Sequence, residues 1–135
     1  MNNEQVSVAR ECAVLSATGK IHFGDVVGRL IKAGIERYHA DYSRSEITYY
    51  TPDGGSCVAP VDHEPMPIAH EFSAAGVEGA VRQAQRGEIM FPQFTRQVLA
   101  AGCVGYFVQL SGKCVQYFGR NGEIHTEWFP GAKGQ

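Results

Sequence analysis

The sequence reads FGDVVGRLIKAGIERYHADYSRSEITYYTPDG from residue 23 to residue 54 and FPQFTRQVLAAGCVGYFVQLSGKCVQYFGRNG from residue 91 to residue 122. The two stretches align without a gap at an offset of 68 residues. Extending the alignment to residues 19–54 and 87–122 gives 9 identities in 36 pairs, whereas average composition predicts about two. We interpret the repeat as an internal duplication of one structural unit. The identical pairs are Gly19/Gly87, Ile21/Ile89, Phe23/Phe91, Ala33/Ala101, Gly34/Gly102, Tyr38/Tyr106, Ser43/Ser111, Tyr49/Tyr117 and Gly54/Gly122.

Each copy begins with apolar residues at helical spacing, over residues 23–31 and 91–99. Both helices are predicted to end at an Ala-Gly pair, with Gly34 and Gly102 in the left-handed conformation that glycine adopts without strain. The period then changes from 3.6 to 2, which indicates strands. A further helical stretch precedes each copy, at residues 7–19 and 75–87.

Hairpin signals follow the second strand of each copy. The Asp-Gly at residue 53 and the Asn-Gly at residue 121 predict type I′ turns, which need positive φ at both central residues. A third strand is expected after each turn. In the first copy Pro60 predicts a sheet edge, and in the second copy Ile124 and Trp128 are expected to face the core.

These elements predict an α+β fold: an internally duplicated unit of two helices and a three-stranded meander, with an antiparallel sheet covered by helices on one face. We expect residues 1–135 to form a single domain. Its repeats lie at about 7–61 and 75–129, joined by a linker at about 62–74 that contains two prolines.

Composition excludes several function classes. The net charge of -2, without a run of basic residues, argues against nucleic acid and anionic membrane surfaces as partners. No apolar stretch reaches the roughly 20 residues that span a bilayer. The four cysteines lack C-x-x-C spacing, and the amino terminus does not resemble a signal peptide. We therefore expect a cytoplasmic protein with reduced thiols.

Strand alternation predicts a candidate binding surface on the face opposite the helices, which we call the open face. Aromatic side chains mixed with polar and acidic ones are typical of a surface that contacts a ligand or a protein. The alternatives are that the linker and chain ends cover this face, or that a second copy covers it in a homodimer. The candidate binding residues are His39, Asp41, Tyr50, Phe107, His125 and Glu127.

Motifs for catalysis and for metals are missing. The histidines lack the close spacing of zinc ligands, and Ser43 and Ser111 lie at predicted turns, where serine is favoured for its hydrogen bonds to the backbone. No G-x-S-x-G motif occurs. We predict no catalytic residue, no metal site and no cofactor.

The second copy from residue 87 to 125 and the first copy from residue 26 to 54 resemble the YbcV/YdfO-like family of small bacterial and prophage proteins, often labelled phage envelope proteins. The resemblance covers about residues 23–129 and rests on the Ala-Gly pair followed by an aromatic strand. It implies a mixed α and β fold with internal duplication, an origin in or near prophage sequence, and no established activity.

The function that we expect from the sequence is a non-enzymatic binding or interaction domain that uses its open face. Its partner would be another protein or a second copy of the chain. One alternative is a small-molecule or metal-dependent enzyme at the same face, and another is a phage-associated structural protein. A concave pocket with convergent titratable groups would favour the enzyme, and a flat apolar surface would favour the interaction domain.

Overall fold

The computed structural model describes residues 1–132, which form four helices and a six-stranded antiparallel sheet. The order of elements is helix, helix, strand, strand, strand, and it occurs twice. The helices are α1 (Asn3–Ala17), α2 (Phe23–Ala33), α3 (Ala74–Gln85) and α4 (Phe91–Ala100). The strands are β1 (Arg37–Asp41), β2 (Glu46–Tyr50), β3 (Ser56–Pro60), β4 (Gly105–Gln109), β5 (Cys114–Phe118) and β6 (Ile124–Trp128). The predicted α+β class is confirmed.

The sheet has the order β3-β2-β1-β4-β5-β6, so β1 and β4 join the two meanders at its centre. Their register pairs Tyr38 with Val108, His39 with Phe107, and Ala40 with Tyr106. Because β3 lies at the edge, Pro60 falls where the sequence predicted it. Alternating residues of the central strands are buried beneath the helices, as expected.

The helix ends follow the Ala-Gly prediction. Gly34 caps α2 with φ 86°, and Gly102, which comes after the Ala101 cap of α4, has φ 82°. A β-carbon at Gly102 would overlap the backbone carbonyl of Glu71, because the segment between the two halves crosses α4 at this point. Glycine is therefore required at residue 102 by both conformation and space.

The predicted type I′ turns are wrong. Gly54 and Gly122 have φ of 88° and 84°, but Asp53 and Asn121 do not have positive φ. The Asp53 carboxylate instead accepts a hydrogen bond from the N–H of Gly55 and one from the Thr51 hydroxyl. This side-chain acceptor stabilises a longer loop between β2 and β3.

The segment between β3 and α3 lies against the second half of the molecule. Ala69 and Ser73 donate backbone hydrogen bonds to the carbonyls of Leu99 and Ala101, and the Arg120 guanidinium donates to the carbonyl of Ile68. The repeat and linker boundaries given above stay predictions. Within residues 1–132 no helix combines the length and apolar character that crossing a bilayer requires.

Candidate functional site

The open face carries four of the six predicted binding residues. His39 stacks on Phe107 with ring centroids 4.4 Å apart and planes inclined by 10°. Tyr50 lies beneath the Arg37 guanidinium at 4.3 Å, a cation–π contact. Asp41 caps the turn after β1 by accepting hydrogen bonds from the backbone N–H groups of Ser43 and Arg44 at 3.0 and 3.3 Å. The Asp41 carboxylate therefore has a local structural role.

The predicted placement of His125 and Glu127 on the open face is wrong. Glu127 pairs across the sheet with Val115, and His125 pairs with Tyr117, and both partners face the helices. Ile124, which was expected to face the core, is 58% exposed, and Trp128 lies on the open side opposite Cys114. Glu127 can be buried because the Arg82 guanidinium and the His125 imidazole lie beside its two carboxylate oxygens.

Glu127 is 9% exposed and is held from two sides. Its Oε1 accepts a hydrogen bond from Arg82 of α3 at 2.9 Å, and its Oε2 lies 2.6 Å from Nε2 of His125. Arg82 also lies 3.8 Å from Glu78. The ligand atoms of Glu78, His125 and Glu127 fall within 4.8 Å of one another, a spacing that would suit a metal ion. The Arg82 guanidinium already supplies positive charge to this cluster.

A cavity of about 500 Å³ lies between the helices and the covered face of the sheet. Its floor is formed by the four tyrosines that recur at an offset of 68 residues. Tyr38 packs on Tyr49, and Tyr106 on Tyr117, each pair with centroids 5.3 Å apart. Sixteen of the 24 lining residues form eight pairs separated by 68 positions, so the two halves contribute matching walls.

The rest of the lining has no such pairing. It includes residues 127–129, at the end of β6 and just after it, whose counterparts 68 residues earlier do not line the cavity. Phe129 forms an edge-to-face contact with Phe23 at the start of α2, with centroids 5.9 Å apart. Because Phe23 is 46% exposed, this pair marks the end of the cavity that reaches the surface.

The floor tyrosines are neutral hydrogen-bonding groups. Burial raises the pKa of Tyr38, Tyr49, Tyr106 and Tyr117 above the ordinary phenol value. Within residues 1–132 the hydroxyls of Tyr38, Tyr49 and Tyr117 have no hydrogen-bond partner, so each can donate to or accept from a molecule in the cavity.

Sequence reasoning assigned these tyrosines to packing and did not identify the cavity. A usable signal was present, because Phe23/Phe91 and both tyrosine pairs are among the nine identities of the repeat. Side chains on the covered face of a sheet would normally be packed against the helices without space between them. The sequence pattern specified which residues face inward but carried no information on how closely the helices approach the sheet.

The fold and cavity together define a two-layer α+β domain with an aromatic internal pocket. The family model described as "Protein of unknown function (DUF1398)" matches residues 18–127. The chain belongs to this family. No curated protein matches the chain.

Proposed function

We propose that the protein binds a small, largely apolar molecule in the cavity between the helices and the sheet. The observation that carries this proposal is the cavity itself, about 500 Å³ in a chain of 135 residues. Ligand sites typically have volumes of roughly 300–1,000 Å³ and combine apolar walls with a few polar groups. Eight aromatic side chains, three unpartnered phenol hydroxyls and one carboxylate meet that description.

The test uses Trp128, which directly follows the cavity residue Glu127 and is the only tryptophan of the chain. The neutral dye N-phenyl-1-naphthylamine should bind with one-to-one stoichiometry, increase in fluorescence and quench Trp128. Ala84→Phe, which fills the cavity wall, should abolish binding, whereas Ala75→Phe at an exposed position of the same helix should not. Non-saturable binding to the unmodified protein, or equal binding by both folded variants, would contradict the proposal.

A second proposal concerns the open face, which we infer contacts a protein partner or a second copy of the chain. Its support is apolar exposure: Val58 is 45% and Ile124 is 58% exposed, and Tyr50 and Phe107 are only half-buried. Sedimentation measurements should show dimers that Tyr50→Ala and Phe107→Ala weaken. If neither variant changes the association state while dye binding is retained, the cavity alone carries the function.

An enzymatic use of the cavity is the alternative to simple binding. The Glu127 and His125 side chains, 2.6 Å apart, could move a proton at the cavity wall. Chemical change of a bound molecule would separate this alternative from binding.

The cellular setting is also a proposal. Four free cysteines suit a reducing, cytoplasmic location. A relation to YbcV/YdfO-like prophage proteins rests on the Ala-Gly pair and the aromatic strand after it. A structural role in a phage predicts that the protein sediments with particles, and a protein that stays in the supernatant during assembly has no such role.

A further inference from the structure

The charges around the cavity are unevenly distributed. Within residues 1–132 the lining contains one carboxylate, Glu127, and one imidazole, the exposed His22, and it contains no lysine and no arginine. The floor phenols are neutral. An anionic ligand would therefore meet no fixed positive charge on the lining, and would be repelled by Glu127.

The groups that pair with Glu127 lie outside the lining. Arg82 and His125 approach its two oxygens but do not line the cavity. Counting Glu78, the cluster has two carboxylates against one guanidinium, so it carries a net negative charge when His125 is neutral. The cavity therefore presents a partly compensated negative charge at one end.

The aromatic walls also favour a positively charged ligand. The face of an aromatic ring carries negative potential, and a cation within about 6 Å of a ring centroid is attracted to it. The two tyrosine pairs, Phe91 and Phe94 surround the cavity. A substituted ammonium group with an apolar body would pack on the faces of these rings.

We propose that the ligand is an organic cation, an amine or quaternary ammonium with an aromatic or alkyl body, whose charged group lies toward Glu127. This inference rests on the proposed binding in the cavity and adds the charge of the ligand. Glu127 is then the residue that sets the specificity for a cation. The aromatic floor supplies most of the contact area and accepts neutral molecules as well.

The experiment compares two probes of nearly the same shape that differ in charge: phenyltrimethylammonium and tert-butylbenzene. Benzenesulfonate serves as the anionic probe. Each displaces N-phenyl-1-naphthylamine from the unmodified protein, from Glu127→Gln and from Glu71→Gln, an exposed control outside the lining. Thermal unfolding confirms that each variant is folded.

For Glu127→Gln we expect the affinity for phenyltrimethylammonium to fall at least tenfold relative to that for tert-butylbenzene, while Glu71→Gln leaves the ratio unchanged. Benzenesulfonate should be the weakest ligand of the unmodified protein. A ratio that changes less than threefold in Glu127→Gln, or tighter binding of the sulfonate, overturns the cation inference and leaves the cavity proposal intact. Failure of the dye to bind the unmodified protein would instead overturn the cavity proposal.

Discussion

His39 and Phe107 are cross-strand partners at the junction of β1 and β4, and they are also equivalent positions of the repeat, 68 residues apart. The register of β1 on β4 is centred on this pair, because Tyr38 lies opposite Val108 and Ala40 lies opposite Tyr106. On the covered face, the Tyr38/Tyr49 pair lies on β1 and β2, and the Tyr106/Tyr117 pair lies on β4 and β5. The stack on the open face and the tyrosine floor of the cavity thus lie on opposite sides of the same four strands.

Removing the central stack should destabilise the fold. Phe107→Ala deletes the ring that contacts His39 and also meets Phe118 at a centroid distance of 6.2 Å. We expect a loss of about 2 kcal/mol in the free energy of unfolding, from lost apolar burial and ring contacts. Val58→Ala, on the same face at the sheet edge, should cost about 0.5 kcal/mol or less. Urea unfolding measures both losses. Equal losses would show that the His39–Phe107 stack does not stabilise the fold more than an exposed edge residue does.

The requirement for glycine at residue 102 gives a sharper stability prediction. Gly102→Ala should cost about 3 kcal/mol or more, because a left-handed residue with a side chain costs roughly 1–2 kcal/mol and the new methyl group would overlap the carbonyl of Glu71. Gly122 has a similar φ of 84° with open space around it. Gly122→Ala should therefore cost only about 1–2 kcal/mol. Urea unfolding curves of Gly102→Ala and Gly122→Ala measure the difference in stability between the two variants. Equal losses would show that the segment carrying Glu71 moves away from the new methyl group at little cost.

The pairing of Glu127 predicts a stability effect at Arg82. Arg82→Met leaves the buried carboxylate without its guanidinium, 2.9 Å away in the structure. Since the Arg82 side chain is 43% exposed, we expect a loss of about 1–3 kcal/mol rather than the full cost of a buried unpaired charge.

The matched control is Arg86→Met, which breaks an exposed ion pair with Glu88 just after the end of α3. It should leave the midpoint of urea unfolding unchanged. A midpoint that is also unchanged in Arg82→Met would show that Glu127 does not depend on that guanidinium.

The repeat allowed the order of elements and the inward face of the central strands to be predicted, because helix ends and strand alternation follow from local residue types. The residues of β6 were assigned to the wrong faces of the sheet, because the apolar Ile124 and Trp128 were assumed to face inward. Extending the offset of 68 would have aligned Glu127 with Ala59, which is 2% exposed. That alignment places Glu127 on the covered face, and only the position of Arg82 explains how a carboxylate fits there.

The cavity could not be predicted from the sequence, for a different physical reason. Its residues were recognised as inward-facing, but an open volume depends on how far the helices stand from the sheet. That distance is set by the sum of many contacts, including the contact of Phe23 with Phe129 at the cavity end. No single residue type encodes it.

The four thiols should differ in reactivity according to burial. Burial raises the pKa of Cys103 to about 11, and its thiol donates to the carbonyl of Gly105 at 3.3 Å. Cys57 is only half-buried, although burial raises its pKa as well. Because the thiolate is the reactive form, a disulfide reagent at about pH 8 should label Cys57 first and Cys103 only after unfolding. Cys57→Ser should remove the fast phase, and Cys103→Ser should keep it.

The raised pKa of the Cys103 thiol also predicts how the stability of the protein changes with pH. The folded thiol of Cys103 keeps its proton when the unfolded thiol, with its ordinary pKa of about 8.5, has released it. The contribution of Cys103 is therefore fully present below that value and is lost as the pH rises toward about 11. Cys103→Ser should flatten the alkaline decline in urea midpoint relative to Cys57→Ser. An equal decline in the two variants, or rapid labelling of Cys103 in the native protein, would mean that residue 103 is not enclosed.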